Sequence, residues 1–404
     1  MPLQRIAAYV ALLASVVALL AFGVVGFGRG DNVAFADVRY FFVAAKMVAA
    51  GSSPYVFEAF KSATVSAGLG NDIGVFPYPP HSLALWMPLA WLPIEAARWA
   101  WTALNLLIVA GVALAMGHWY AERSAMLDGS DNSNAKLWIA AIIIGNPFTA
   151  HLVWTGQTGL LVLVCLLLAW QGLKQERWVW AGVFLALASV KPQLSILVIA
   201  WVALMGQFRV LAIACATAVA LLSVPLLAVG PEAITDWWQS AIAYQSLATG
   251  ALAYNTNLRS LLMGIGLPLP LGMAWLLPLA ALAFVATMNY RDRQQPLNRD
   301  DVLAVLLTAS LFLVYGRDYD IAVLAPLVPA LWWHSRGSTA AKVAGLVALV
   351  ILFIPQRLVA QAGLPLLTYS RIALLGLLCA WLTAAVWRAP DRRATARHGS
   401  GQSA

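Results

Sequence analysis

The sequence predicts an all-α protein threaded many times through a membrane, and three observations carry that expectation. Of its 404 residues, 62% are hydrophobic and only 10% are charged, against roughly 25% charged residues in an average soluble domain. Apolar runs such as Ile6 to Phe27, Val210 to Val229 and Leu271 to Met288 meet or approach the roughly 20 residues that carry a helix across a bilayer. The basic residues also gather in some connections and not in others, which is the asymmetry that orients membrane proteins.

Taken in chain order, spans are expected near residues 6–28, 94–117, 137–150, 159–172, 178–190, 192–205, 210–229, 271–289, 301–314, 321–334, 342–354 and 372–388. That is about 12 transmembrane helices, with both termini on one face. The first run is long for a signal peptide and has no small-residue cleavage site before Arg29, so it reads as a retained helix. In the connection that follows, Phe35, Tyr40, Phe41, Val43, Ala44, Met47 and Val48 recur at helical spacing. This predicts an amphipathic helix lying along the membrane surface, ended by Gly51-Ser52-Ser53-Pro54. Ser82 to Leu92, set between prolines, is apolar but too short to cross, and reads as a half-span. Several later runs are short as well, so they either extend into their flanks or are re-entrant pieces buried in protein. Residues 1–388 read as one integral membrane domain, and the basic, polar stretch 389–404 as a solvated cytoplasmic tail with too little apolar surface to fold alone.

The two clearest basic blocks, Arg291 to Arg299 and Arg388 to Arg397, fall on the face that holds the termini, which makes that face cytoplasmic. The outer face then receives the longest connections, 29–80 and 230–257, together with the shorter loops 315–320 and 355–371. Long connections of this kind are where function concentrates. The net charge of +8 is dispersed between apolar helices and forms no stripe with aromatics, so a nucleic-acid partner is not expected. Cys165, Cys215 and Cys379 all lie in apolar runs without metal-binding or disulfide spacing and read as packing residues. Trp237, Trp238 and many of the 18 tryptophans read as headgroup-level anchors.

Charges at the membrane edge are costly and therefore point to function. Asp37 follows the first span on the outer side, where its carboxylate is placed to act as a general base; the competing reading is a helix N-cap. Asp31 is the nearby alternative. Lys191 follows an apolar run and precedes Pro192, so its ammonium sits at a helix break and would suit an anion, unless it snorkels to the interface. Arg259 and Arg317 are the other outer cations, with local salt bridges as the plainer role. Gln157 and Asn257 stand near helix starts, suited either to free backbone groups or to sugar hydroxyls. Asp318 and Asp320 are placed to bind hydroxyls or to orient the base. His81 and His151 are outer histidines with no assigned role, and no close cluster of carboxylates and histidines suggests a metal.

The order of these pieces carries a resemblance: Asp37, Ala44-Ala45, Gly51, Pro54-Tyr55, Tyr78-Pro79-Pro80, Gly156-Gln157, Lys191-Pro192-Gln193, Asn257-Leu258 and Tyr319-Asp320. It is similar to family 87 of the glycosyltransferases, the bacterial polyprenol-phosphate-mannose-dependent mannosyltransferases of the C-type membrane glycosyltransferase superfamily. The resemblance implies a many-helix C-type bundle in a bacterial inner membrane, with amphipathic helices in its extracytoplasmic loops and an active site on that outer face. It further implies inverting transfer of a hexose, mannose first, from polyprenyl phosphate to a hydroxyl of a glycan or glycolipid, with Asp37 as the base. Lys191, Arg259, Arg317, Gln157, Asn257, Tyr78 and Asp320 would bind substrate, and no cofactor is implied, since the lipid-linked sugar is itself a substrate. Mycobacterial members are expected to carry a histidine near Tyr319-Asp320, which this loop lacks. The competing class is a membrane transporter of a small polar or lipid-linked solute, whose half-helices would also explain short proline-flanked runs. Against it, the second half of the chain has no counterpart to 37–55 or to Tyr78-Pro79-Pro80.

Overall fold

The computed structural model describes residues 3–29, 35–69, 74–128, 133–249, 254–267, 269, 276–295, 297–354, 359 and 365–388. Asp31 and the tail 389–404 lie outside the described residues, as does the start of the run expected from 271. Every regular element described is helical. Four helices are long and apolar enough to cross a bilayer: α1 (Leu3–Phe27), α5 (Ile94–Asp128), α11 (Phe208–Ala228) and α18 (Pro365–Arg388). Shorter apolar helices stand among them: α8 (Gly159–Lys174), α9 (Trp178–Ala188), α10 (Pro192–Leu204) and α17 (Thr339–Phe353). The chain is therefore an all-helical membrane protein, and its long and short helices do not reproduce a count of twelve full spans.

Two expected spans are broken. The run 137–150 divides into α6 (Ser133–Ile144) and α7 (Pro147–Thr155), bent by 51°. Asn146 caps α7 by accepting the Phe148 N–H at 3.0 Å, and Pro147 takes the first helical position, where its missing N–H costs nothing. The run 321–334 enters as a tight turn from Asp318 to Leu324 and becomes α-helical only in α16 (Leu327–Ser335). Further along, α15 (Arg299–Ala309) widens into a π-turn over Ser310–Val314, and α14 (Leu276–Gln294) crosses beside α10.

The helix expected on the membrane surface is instead packed inside the protein. α2 (Ala36–Ala49) buries Val38, Arg39, Phe41, Phe42, Val43, Ala44, Ala45, Met47 and Val48, and it rests on α3 (Phe57–Ser66), α4 (Leu83–Ala90) and α5. Phe41 stacks on Trp86 at 4.4 Å and Trp86 meets the edge of Trp101 at 5.1 Å. Arg39, which made the helix look two-faced, is satisfied internally by donating to the Leu69 carbonyl at 2.8 Å. The short α4 is the helix formed by the apolar run expected over Ser82 to Leu92. Tryptophans are likewise core residues in part: Trp86, Trp170 and Trp201 are fully buried and anchor nothing to lipid. Cys165 and Cys379 are buried and Cys215 exposed, all three unpaired thiols.

One end of the bundle is tied by ion pairs. Arg123 meets Asp301 at 2.7 Å, His334 meets the other oxygen of Asp301 at 2.9 Å, and Lys174 meets Asp300 at 2.7 Å. Arg293 donates to the carbonyl of Leu204, the last residue of α10. The opposite ends of α10 and α14 carry the site.

Candidate active site

At that opposite end lies a cavity of about 1010 Å³. The end of α1, the start of α2, segment 74–79, α7 and the start of α10 form part of its wall. Further wall comes from α12 (Glu232–Thr249), the start of α13 (Leu258–Gly264), the start of α14 and residues 314–320. Asp37, Tyr78, Gln157, Lys191, Asn257, Arg259, Arg317 and Asp320 all line it, so residues spread over most of the chain are brought to one chamber.

Asp37 does not cap its helix. The cap is Phe35, held at φ 57° with no side-chain hydrogen bond to the helix, and its N–H is donated to the Trp154 carbonyl at 2.9 Å. A left-handed phenylalanine costs on the order of 1–2 kcal/mol, offset here by that bond and by the Phe27 ring stacked 4.9 Å away. Asp37 sits in the first turn and faces the cavity. Burial pushes its carboxyl up to about 6, against the Lys191 ammonium, a hydrogen bond with the Gln157 side chain and the Arg39 guanidinium, all of which lower it. A carboxylate so placed is mostly ionised at neutral pH yet basic enough to accept a proton, which is where a general base works well.

The approach of Gln157 to α2 depends on its neighbour. Gly156 closes α7 at φ +75°, and a Cβ there would lie 2.0 Å from Val38 Cγ2. The Trp101 indole donates to the Gly156 carbonyl at 2.8 Å and fixes the turn. Gln157 then accepts from the Tyr78 hydroxyl at 3.3 Å and donates to the Tyr319 hydroxyl at 3.2 Å. Its amide thus ties segment 74–79 to residues 314–320 across the cavity wall.

Lys191 and Asp320 meet in the cavity wall. The Lys191 ammonium is buried and donates to Asp320 Oδ1 at 2.5 Å. Asp320 is fully buried and its Oδ2 accepts the Arg317 N–H at 3.0 Å. Asn257 has a backbone role: it caps α13, its side-chain oxygen accepting from Ser260 N at 2.9 Å. Residues 254–257 and 315–317 are joined there, the Thr256 N–H donating to the Gly316 carbonyl at 2.9 Å.

The positive wall is formed by arginines. Arg259 and Arg317 line the cavity, and among the described residues no carboxylate lies within ion-pair distance of either; the expected local salt bridges are absent there. The Arg259 Nε is buried without a partner. Arg29, just past the end of α1, was not singled out from the sequence, yet it lines the same cavity with its guanidinium 5.7 Å from the Trp154 ring. Its position just past the first span was the available signal. Arg371 was also missed: it is buried behind the site, and its charge opposes the effect of burial, which raises the carboxyl of Asp318.

Aromatic rings complete the walls. His151 stacks on Tyr319 at 5.5 Å with planes 8° apart. Trp237, expected as a lipid anchor, instead lines the cavity and donates to the Pro77 carbonyl at 3.1 Å, while Trp238 is exposed. His81 is engaged with the Ser189 hydroxyl at 3.0 Å. Among the described residues no group of three or more His, Cys, Asp and Glu side chains is placed to hold a metal ion.

The sequence profile of glycosyltransferase family 87 matches residues 76–316, more than half of the chain. The matched stretch contains Tyr78, Gln157, Lys191, Asn257 and Arg259; Asp37 lies before it, and Arg317 and Asp320 just beyond. No curated protein matches closely enough to be compared.

Proposed function

Because the chain belongs to glycosyltransferase family 87, its activity is sugar transfer, and we propose that it moves a hexose, mannose first, from polyprenyl phosphate to an acceptor hydroxyl with inversion. The reaction would take place at the extracytoplasmic face of a bacterial inner membrane, on a glycan or glycolipid acceptor, with no cofactor beyond the donor. The observation that carries this reading is the convergence of one basic carboxylate, Asp37, and the arginines Arg259 and Arg317 on a single chamber.

The chemistry needs little else. The acceptor oxygen attacks the anomeric carbon from the face opposite the phosphate, the bond from that carbon to the phosphate oxygen breaks, and its electron pair leaves with polyprenyl phosphate. The acceptor proton passes to Asp37, which must lie within about 3 Å of the hydroxyl. Phosphate is a good leaving group, so no general acid is required. Arg259 and Arg317 supply fixed positive charge to the departing phosphate in a water-poor site, where such stabilisation is strongest, and Arg29 extends that wall. Mannose and the polyprenyl carrier rest on the ordered motifs from Asp37 to Tyr319-Asp320.

The test is transfer by the purified protein from polyprenyl-phosphate-mannose, with nucleotide-linked mannose and other polyprenyl-phosphate sugars in parallel, and the anomeric configuration of the product read by NMR. The reading predicts transfer from the lipid-linked mannose with inversion. Transfer from the nucleotide sugar alone, or with retention, would overturn it.

A further inference from the structure

We propose that Phe35 is a positioning residue for the base: its left-handed backbone and caged ring fix the first turn of α2 so that Asp37 faces the cavity. The inference rests on the reading of Asp37 as base and adds a residue that acts through it.

Among the described residues only Phe35 and Glu176 combine a side chain with a positive φ. Glu176 lies exposed in the turn between α8 and α9, whereas Phe35 is 7% exposed and stands two residues before Asp37. A conformation of this kind persists only where the surroundings over-determine it, and such residues cluster at functional sites.

The surroundings here are specific. The Phe35 carbonyl accepts the Arg39 N–H at 3.1 Å, the first bond of α2, and its own N–H is donated to the Trp154 carbonyl of α7 at 2.9 Å. Its ring stacks on Phe27, the last residue of α1, at 4.9 Å and forms a T-shaped pair with Trp99 of α5 at 5.4 Å. The Arg98 guanidinium, paired with Glu95, lies 5.4 Å from the same ring. One residue thus ties the start of α2 to three other helices, and it does so from outside the cavity lining.

The tie matters because of helix phase. Successive residues of an α-helix point about 100° apart. Asp37 and Tyr40, three residues apart and so on one face, line the cavity, while Val38 and Phe41, one step round, are fully buried. Turning the start of α2 by one residue would trade Asp37 for Val38. The first turn of a helix is the part most free to fray, and α2 has no side-chain cap to hold it. The following turn is fastened separately, by Arg39 on the Leu69 carbonyl and by Phe41 on Trp86, so loss of the Phe35 ring frees the start of α2 without releasing the helix.

The experiment is steady-state sugar transfer by wild type, Phe35→Gly, Asp37→Asn and the double variant, each normalised to folded protein, together with the affinity of each for polyprenyl phosphate. Glycine accepts the left-handed backbone but lacks the ring. In Phe35→Gly kcat should fall about 10–100-fold, the order of cost of misplacing a catalytic group by an ångström, with affinity within about threefold of wild type. In the Asp37→Asn background the same substitution should change the residual rate by less than about threefold, because a residue that acts through the base has nothing left to act on. An unchanged kcat in Phe35→Gly, equal fractional losses in the two backgrounds, or an affinity loss as large as the loss of kcat would each overturn the inference. If the residual rate of Asp37→Asn does not exceed the enzyme-free rate, the split between kcat and affinity decides alone. If Phe35→Gly fails to fold, Phe27→Ala, which removes the stacking partner and leaves the Phe35 backbone intact, decides by the same criteria. Full activity of Asp37→Asn would instead remove the base reading itself, an outcome separable from the others.

Discussion

The buried pair Lys191–Asp320 gives a stability prediction that can be worked from the structure. The two side chains are 5% and 0% exposed and touch at 2.5 Å, with one further backbone N–H, from Arg317, on the carboxylate. In Lys191→Met the carboxylate keeps only that N–H, and breaking such a pair from one side costs about 3–5 kcal/mol. With roughly 2 °C lost per kcal/mol in a large domain, the midpoint of thermal unfolding in detergent should fall by about 6–10 °C. Removing both charges in Lys191→Met with Asp320→Leu leaves no orphan, and most of the loss should return, since an apolar pair of similar volume often replaces a buried ion pair at little cost. The assay is a double-mutant cycle read by the fraction of soluble, monodisperse protein after heating. A single variant within about 1 °C of wild type, or a double variant no better than the single, would refute the assignment of this pair as a neutralised buried unit.

Three further outcomes are expected. Transfer should require ionised Asp37, so kcat/KM should be level above neutrality and fall about tenfold per pH unit well below 6; a profile flat to pH 4.5 would contradict the base. Arg259→Gln and Arg317→Gln should each weaken use of the lipid-linked donor by about tenfold or more in kcat/KM, the value of a charge-assisted contact to phosphate discounted for partial exposure, measured by donor titration at fixed acceptor. Gly156→Ala adds a Cβ 2.0 Å from Val38 Cγ2 at φ +75°, and by displacing Gln157 from α2 it should cost on the order of 100-fold in rate with a modest loss of stability; unchanged kinetics would show that the crossing has no bearing on the site.

The membrane character of the fold was legible because long apolar runs have few other uses. α1, α5 and α11 begin close to where their runs do, and α8 to α10 fall within two residues of the expected bounds. What composition hid was continuity. The run 137–150 is apolar throughout, but Asn146-Pro147 is a helix start, a cap followed by a residue that needs no N–H partner, and the signal lay in two residues against a hydrophobic background. α2 was misplaced for a related reason. Its Arg39 and Tyr40 give it an amphipathic pattern, and a pattern does not reveal that Leu69 offers a carbonyl to the guanidinium or that Phe76, Trp86 and Trp101 await its apolar face. At the site, residue types pointed to one chamber because charge and amide groups at membrane edges are rare. Partners were not legible: the sequence does not show that Lys191 meets Asp320 across 128 intervening residues, that Gln157 is shared by two tyrosines, or that Asn257 spends its oxygen on Ser260.

The most direct test of the central claim compares wild type with Asp37→Asn in the same detergent, with matched folding, for transfer of mannose from polyprenyl-phosphate-mannose to acceptor. The account predicts transfer by wild type and a loss of at least 100-fold in the variant, since the amide keeps the size of the carboxylate but accepts no proton at neutral pH. Equal transfer by the two would contradict it, and would place the proton on some other group of the cavity.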